Sequence, residues 1–285
     1  MFKNILTAFV GRFAEKNHEA GTEAIDKDDV YRRLENISVD NLDKLMSLVM
    51  REQDNLEDEN VRYQISEAFV SGVYPKYKFS EFGRLFLEDS DFIEYYKQFM
   101  DPENWHSLDR KYTLKEMLKH VAGLKGDLVE CGVYKGASAW LMCNEFTTAD
   151  KTVHLFDSFE GLSRPSEQDG DYWHQGALHS PESVLNDGLK QFNNYKVYKG
   201  WIPEVFDDYS ANDVCFLHID VDLYEPTLHA LKYFYPNIVR QGIILMDDFG
   251  FTSCPGAKLA ADNFFDDKPE SIISLPTGQG LVIKS

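Results

Sequence analysis

The chain has no apolar run approaching the roughly 18 residues a helix needs to cross a bilayer, so no integral membrane segment is predicted. Positive charge is also short: 29 Lys and Arg stand against 48 Asp and Glu, a formal net charge of −19. Phosphate backbones are held by clustered Lys and Arg. That balance excludes nonspecific binding to nucleic acid or to an anionic membrane, while leaving room for a charged small molecule in a local pocket. Cysteine is scarce and unpaired: Cys131, Cys143, Cys215 and Cys254 show no Cys-x-x-Cys spacing, and Cys131 and Cys215 fall in predicted buried strands. Such usage speaks against a disulfide framework and for reduced thiols in a cytoplasmic setting. Repeats and low-complexity segments are missing too.

What is there suffices for a large core. With 285 residues, 43% of them apolar, the chain supports one large or two modest domains. Phe2, Ile5, Leu6, Phe9, Val10 and Phe13 share one helical face. That stripe lacks the core and cleavage site of a signal peptide, and is read as packing on the protein or on a sister subunit, which makes a homo-oligomer the expectation. Residues 17–29 read as a polar linker. Helical patterns follow at Leu42–Val49, Tyr63–Val73, Phe82–Leu87 and Phe92–Met100, so residues 1–104 are expected to form a helical N-terminal extension.

From residue 105 to 285 strands and helices alternate. Leu114–Leu124 reads as a helix leading into the first strand. Strands are predicted near 127–132, 152–157, 195–199, 214–219 and 242–247, and helices near 137–147, 181–192, 225–235 and 255–266. Ser271–Leu275 and Gly280–Lys284 flank a Pro-Thr-Gly-Gln turn and read as a closing hairpin. This alternation predicts an α/β fold, a doubly wound parallel sheet with helices on both faces.

Carboxylates mark the strand ends. Asp220 follows the buried run Val214–Ile219, and Asp247 and Asp248 follow Ile243–Met246. Ligands in such sheets gather outside the carboxyl ends of the strands, which brings the three acids to one rim. Hard oxygen donors without a Cys or His pair suit Mg²⁺, or Mn²⁺ or Ca²⁺. A second block, Leu128 to Ser138, reads as strand, tight turn and helix start, with Gly132 and Gly136 in the turn. The opening of the next helix would face an anionic group. About twenty residues on, Asp157 ends another strand, where a nucleoside ribose is held.

Glu130-x-Gly132-x-x-x-Gly136 followed by Phe156-Asp157-Ser158-Phe159-Glu160-Gly161-Leu162 resembles the class I S-adenosylmethionine-dependent methyltransferases. Lys199-Gly200-Trp201, the His218–Tyr224 block and Met246-Asp247-Asp248-Phe249 narrow the resemblance to the macrocin O-methyltransferase family, over roughly residues 105–285. The resemblance implies a Rossmann-like seven-stranded sheet whose last strand is antiparallel. It also implies methyl transfer from S-adenosyl-L-methionine to a sugar hydroxyl with a divalent metal. It places the cofactor on Glu130, Gly132, Tyr134, Gly136, Ser138, Asp157, Ser158, Trp201 and Asp220, with Tyr134 and Ser138 at its carboxylate, and the metal on Asp220, Asp247 and Asp248. Catechol O-methyltransferases have a similar acid trio and a lysine three residues after the first metal aspartate. Here that position is Leu223, which excludes a lysine base there.

For the proton of the acceptor hydroxyl, Asp220 is the first candidate, with Asp222 and His174 as rivals. His218 is read as structural, pointing away from Asp220, and Lys258 as solvated. Ser163 to Ser180 lacks periodicity yet carries Trp173 and His174, and is expected to be a substrate lid. Three other readings compete: Asp220-Val221-Asp222 as the Asp-x-Asp motif of a glycosyltransferase, a nicotinamide dehydrogenase, and a noncatalytic assembly module.

Overall fold

The computed structural model of the chain describes residues 39–73, 83–100, 106–148, 150–210 and 212–285. The apolar stripe at Phe2–Phe13 and the linker expected at 17–29 lie outside the described residues. Two compact units divide between Glu88 and Asp89.

In the first unit, helices α1 (Val39–Arg51) and α2 (Glu59–Val73) pack on one another. Asn41 Nδ2 donates to Ser71 O across them at 3.0 Å. The helix expected at Phe82–Leu87 is instead a single 3-10 turn, Leu85–Glu88. Two apolar residues, Leu85 and Leu87, flank a buried Phe86, too little periodicity for a longer helix.

The second unit opens with α3 (Ser90–Phe99), capped by the Asp89 carboxylate on Phe92 N. Helix α4 (Leu108–Val121) follows. It starts six residues earlier than the apolar pattern predicts, because Leu108 is followed by the polar Asp109-Arg110-Lys111 before the apolar spacing resumes. Then come β1 (Asp127–Cys131), α5 (Ala137–Glu145), β2 (Val153–Asp157), α6 (Glu182–Leu189), β3 (Tyr195–Lys199), β4 (Val214–Ile219), α7 (Tyr224–Phe234), β5 (Ile238–Met246), α8 (Pro255–Phe265), β6 (Ile273–Ser274) and β7 (Gly280–Ile283).

Seven strands form one sheet in the order β3-β2-β1-β4-β5-β7-β6. The first five run parallel, and β7 lies antiparallel between β5 and β6. Helices alternate with the parallel strands and cover both faces of the sheet. On one face Phe156, Leu217, Ile244 and Met246 pack with Leu231, Phe234 and Phe265 of α7 and α8. All of β4 is buried, as expected for a central parallel strand. On the other face α4 packs over β4 and β5.

Register decides what the rim presents. Phe156, Cys131, Ile219 and Met246 form one row across β2, β1, β4 and β5. The next residue of each strand is Asp157, Gly132, Asp220 and Asp247. They emerge side by side at the carboxyl ends, where the chain order reverses about β1 and β4.

Candidate functional site

The turn after β1 is shaped by close approach. Gly132 has φ +84°, and a Cβ built on it would lie 1.8 Å from Asp220 O. Tyr134 takes a left-handed conformation at φ 50°. Asp157 braces this turn: its Oδ2 accepts from Val133 N at 2.7 Å and Tyr134 N at 3.0 Å, and its Oδ1 from Phe159 N at 2.6 Å. Gly136 caps α5 at φ +88°, with Leu185 pressed against it. The Ser158 hydroxyl closes its own turn, donating to Gly161 O and accepting from Glu160 N, both at 3.0 Å.

Two clefts meet above the rim. The first, of about 610 Å³, is lined by Gly132, Tyr134, Asp157, Ser158 and Trp201, and by Leu178 from the long loop. The second, of about 910 Å³, is lined by Arg110, Lys111, Ser138, Trp173, Asp248 and Cys254 among others. Asp220 and Asp222 line both, as do Gly132, Tyr134 and Leu178. Those carboxylates therefore stand at the junction.

Four expected site residues line neither cleft: Glu130, Gly136, His174 and Asp247. Glu130 is 1% exposed and lines neither; its Oε1 lies 3.0 Å from His218 Nδ1. Gly136 lines neither, being covered by Leu185, and acts through backbone shape. His174 is exposed on the loop and lines neither, like most lone loop histidines. Its neighbour Trp173 does reach the second cleft and donates to Cys254 Sγ at 3.3 Å. The loop is pinned at its base: Asp169 accepts from Ser166 N and Oγ, and from Tyr224 N at 2.7 Å.

His218 corrects the sequence expectation. Residues two apart on a strand share a face, so His218 lies on the same side as Asp220 and not opposite it. His218, Asp220 and Asp247 each offer an atom within 4.8 Å of the others. Its Nε2 is 3.5 Å from Asp247 Oδ1. Complete burial would depress the imidazole, but the Asp247 and Glu130 carboxylates outweigh it and push it up to about 9. Glu130's own carboxyl is pushed up by burial, which His218 offsets only in part.

The acids divide into two groups. Asp247 sits behind the cleft wall, 1% exposed. Its Oδ2 pairs with Arg110, and its Oδ1 accepts from Gln279 Nε2 at 2.8 Å. Burial opposes its charge, yet Lys111, Arg110 and His218 hold it well below the usual carboxylate range. Asp248 and Asp222 form the other group, with Cys254. Asp248 Oδ2 accepts from Asp222 N at 2.9 Å, and Cys254 Sγ donates to Asp222 Oδ1 at 3.4 Å. Neither carboxylate forms an ion pair among the described residues. Burial, then the Asp220 charge, pushes Asp222 up to about 7. Burial, then Asp222, pushes Asp248 well above its ordinary value. Buried acids with surplus negative charge and hard oxygen donors fit a divalent cation.

Two cations of this site escaped the sequence reading. Arg110 and Lys111 come from the first turn of α4. Arg110 also lies over the Phe251 ring, 4.9 Å from its centroid. Lys111 is 2% exposed, with Nζ 2.6 Å from Ser138 Oγ and 3.6 Å from Asp220 Oδ2. A signal existed: Lys111, Leu114, Leu118 and Val121 share helical spacing, which puts the lysine on the buried stripe.

Comparison with known proteins adds an independent line. The family model described as macrocin-O-methyltransferase (TylF) matches residues 108–270. The chain is 29% identical over 182 residues to the demethyldecarbamoylnovobiocin O-methyltransferase of Streptomyces niveus, covering 57% of this chain and 69% of that protein. It is 28% identical over 149 residues to an 8-demethyl-8-(2,3-dimethoxy-alpha-L-rhamnosyl)-tetracenomycin-C 4'-O-methyltransferase of Streptomyces olivaceus, covering 47% of this chain and 57% of that protein. Among solved structures, the O-methyltransferase NovP superposes with a TM-score of 0.55 at 24% identity, over 65% of this chain and 84% of NovP. The calicheamicin methyltransferase CalS11 superposes with a TM-score of 0.53 at 16% identity, over 73% of this chain and 99% of CalS11. At those identities the superpositions speak to fold, the Rossmann-like sheet of O-methyltransferases.

Proposed function

The chain belongs to the macrocin O-methyltransferase family, and from that premise we propose that it moves a methyl group from S-adenosylmethionine to a hydroxyl of a sugar or sugar-bearing natural product, with a divalent cation, Mg²⁺ first, at the acids. Family membership sets aside the glycosyltransferase, dehydrogenase and noncatalytic readings. The observation that carries the proposal is the junction: one cleft shaped for a nucleoside and one lined by charge share Asp220, Asp222 and Tyr134. A donor in the first and an acceptor in the second would meet there, and positioning of that kind supplies several kcal/mol of a barrier.

Gly132 and Tyr134 shape the backbone against the donor, with Asp157 toward its ribose and Trp201 beside its base. Asp157 has carboxylate lone pairs beyond those given to the turn. Asp220, Asp247 and Asp248 would hold the cation. For Asp247 to contribute, Arg110 must yield its Oδ2. A cation held there would supply Lewis acidity that lowers the pKa of an acceptor hydroxyl. The hydroxyl proton passes to Asp220 or Asp222, both at the junction, and not to His174. Trp173, on the loop read as a lid, covers the acceptor side.

The sugar acceptor is supported by the names of the two Streptomyces relatives, a novobiocin precursor for one and a rhamnosyl tetracenomycin for the other. No described helix is long and apolar enough to cross a membrane, and a cytoplasmic homo-oligomer is the setting proposed. The test is transfer of a labelled methyl group to a panel of deoxysugar-bearing acceptors, with and without a chelator. Turnover that stops with chelator and returns with Mg²⁺ supports the reading; turnover indifferent to chelator removes its metal component.

A further inference from the structure

Lys111 is the most costly side chain in the second cleft. Its side chain is 2% exposed, and its ammonium carries three donors. Among the described residues it makes one hydrogen bond, to Ser138 Oγ at 2.6 Å, and one longer ion pair, to Asp220 Oδ2 at 3.6 Å. A buried ammonium is expensive unless its protons find acceptors. This one is under-satisfied and faces the cleft.

Its position adds a second reason. Ser138 is the second residue of α5, and the first-turn N–H groups of a helix have no intrahelical partners. The positive end of a nine-residue helix, a hydroxyl and a buried ammonium converge beside the Gly132–Gly136 turn. Two positive elements and a hydroxyl donor recognise a carboxylate. Asp220 Oδ2, 3.6 Å from that ammonium, would suit the ammonium of an amino acid whose carboxylate meets Lys111.

We propose that Lys111 binds the carboxylate at the methionine end of the cofactor, with Ser138 and the start of α5 completing the site. The inference rests on the methyltransferase reading above. It makes α4 part of the cofactor site, although the helix precedes the glycine turn in the chain. Lys111 lines the second cleft next to Asp220, which lines both: one proton goes toward Ser138, one side toward Asp220, and the remaining donor toward the ligand.

The test compares S-adenosylmethionine with its decarboxylated analogue, which differs only in lacking the carboxylate. Dissociation constants are measured by calorimetry for wild type, Lys111→Gln and Lys111→Arg. The expected result is a preference of about 10- to 100-fold for the carboxylate-bearing ligand in wild type. Lys111→Gln should reduce that preference to within about 3-fold, and Lys111→Arg should restore part of it. A Lys111→Gln protein that keeps the wild-type preference would overturn the proposal, as would a wild type that binds both ligands equally. If Lys111→Gln does not give a cooperative melt, Ser138→Ala and Lys111→Arg carry the test, and an unchanged preference in both overturns it. Wild type that binds neither ligand would instead sink the methyltransferase reading, and is distinguishable because no preference is then measured at all.

Discussion

The two clefts that meet at Asp220 are built in different ways. The first is made of backbone: a glycine turn, a braced carboxylate, a local serine turn and the Trp201 ring. The second is lined by charge, Arg110 and Lys111 with Asp220, Asp222 and Asp248, and is backed by the buried Asp247, His218 and Glu130. Shape holds a ligand that must always be the same. Charge that is only partly neutralised suits a site that takes up a cation and handles a proton. Variants in the first cleft should therefore move binding, and variants at the acids of the second should move turnover; Lys111 and Ser138, at the carboxylate end proposed for the cofactor, should move binding too.

The largest effect is expected at Asp248. Asp248→Asn keeps the side chain's shape and its hydrogen bond from Asp222 N but removes a charge. Turnover with Mg²⁺ should fall by at least about 100-fold, while S-adenosylhomocysteine affinity stays within about 3-fold. Equal losses in both would erase the contrast between the clefts.

Next is Gly132→Ala. A Cβ there meets Asp220 O and Asp220 C, backbone atoms that cannot turn aside, at a positive φ. A loss of about 3 kcal/mol of stability and of cofactor binding is expected, read by thermal melts and calorimetry. Gly136→Ala should cost only about 1 kcal/mol, since it meets the end of the Leu185 side chain. Trp201→Ala should weaken S-adenosylhomocysteine about 10-fold and leave the acceptor KM unchanged.

The pattern of what could be read from sequence follows the same division. That Gly132, Asp157 and Trp201 share one cleft was legible because backbone turns and strand-end acids leave short, fixed spacings. The five parallel strands and the terminal antiparallel hairpin were legible for the same reason: buried runs alternate with helical periods. Arg110 and Lys111 were not legible as site residues. They reach Asp247 and Asp220 across more than a hundred residues of chain, and in their helical turn only Leu108 is apolar. Nor did spacing tell that Asp247 turns back toward Arg110 while Asp248 turns to Asp222. Adjacent residues of a rim face different neighbours, and only packing decides which. Depth was not legible either: Glu130, expected at the cofactor, lies below the rim in β1 and meets His218.

A charged network away from both clefts supplies a control of small effect. Glu270 accepts from Tyr235 Oη at 2.7 Å, Lys284 Nζ at 3.0 Å and Ser285 N at 3.0 Å. Burial opposes its charge, but these donors, Ser285 first, hold its carboxyl well below the usual range. Its folded pKa is lowered, so its stabilisation is whole above the unfolded value near 4.3 and is lost as pH falls through the folded one. Glu270→Gln should lower Tm by a few degrees at pH 7 and by progressively less below about pH 4. Cofactor affinity should not change.

The division of labour between the clefts is tested most directly by titrating S-adenosylhomocysteine into wild type and Asp248→Asn, each with and without Mg²⁺. The account predicts binding of both proteins without metal, and a metal-dependent heat in wild type that the variant lacks. Absence of S-adenosylhomocysteine binding in wild type under every condition, or a metal response undiminished in Asp248→Asn, would contradict it.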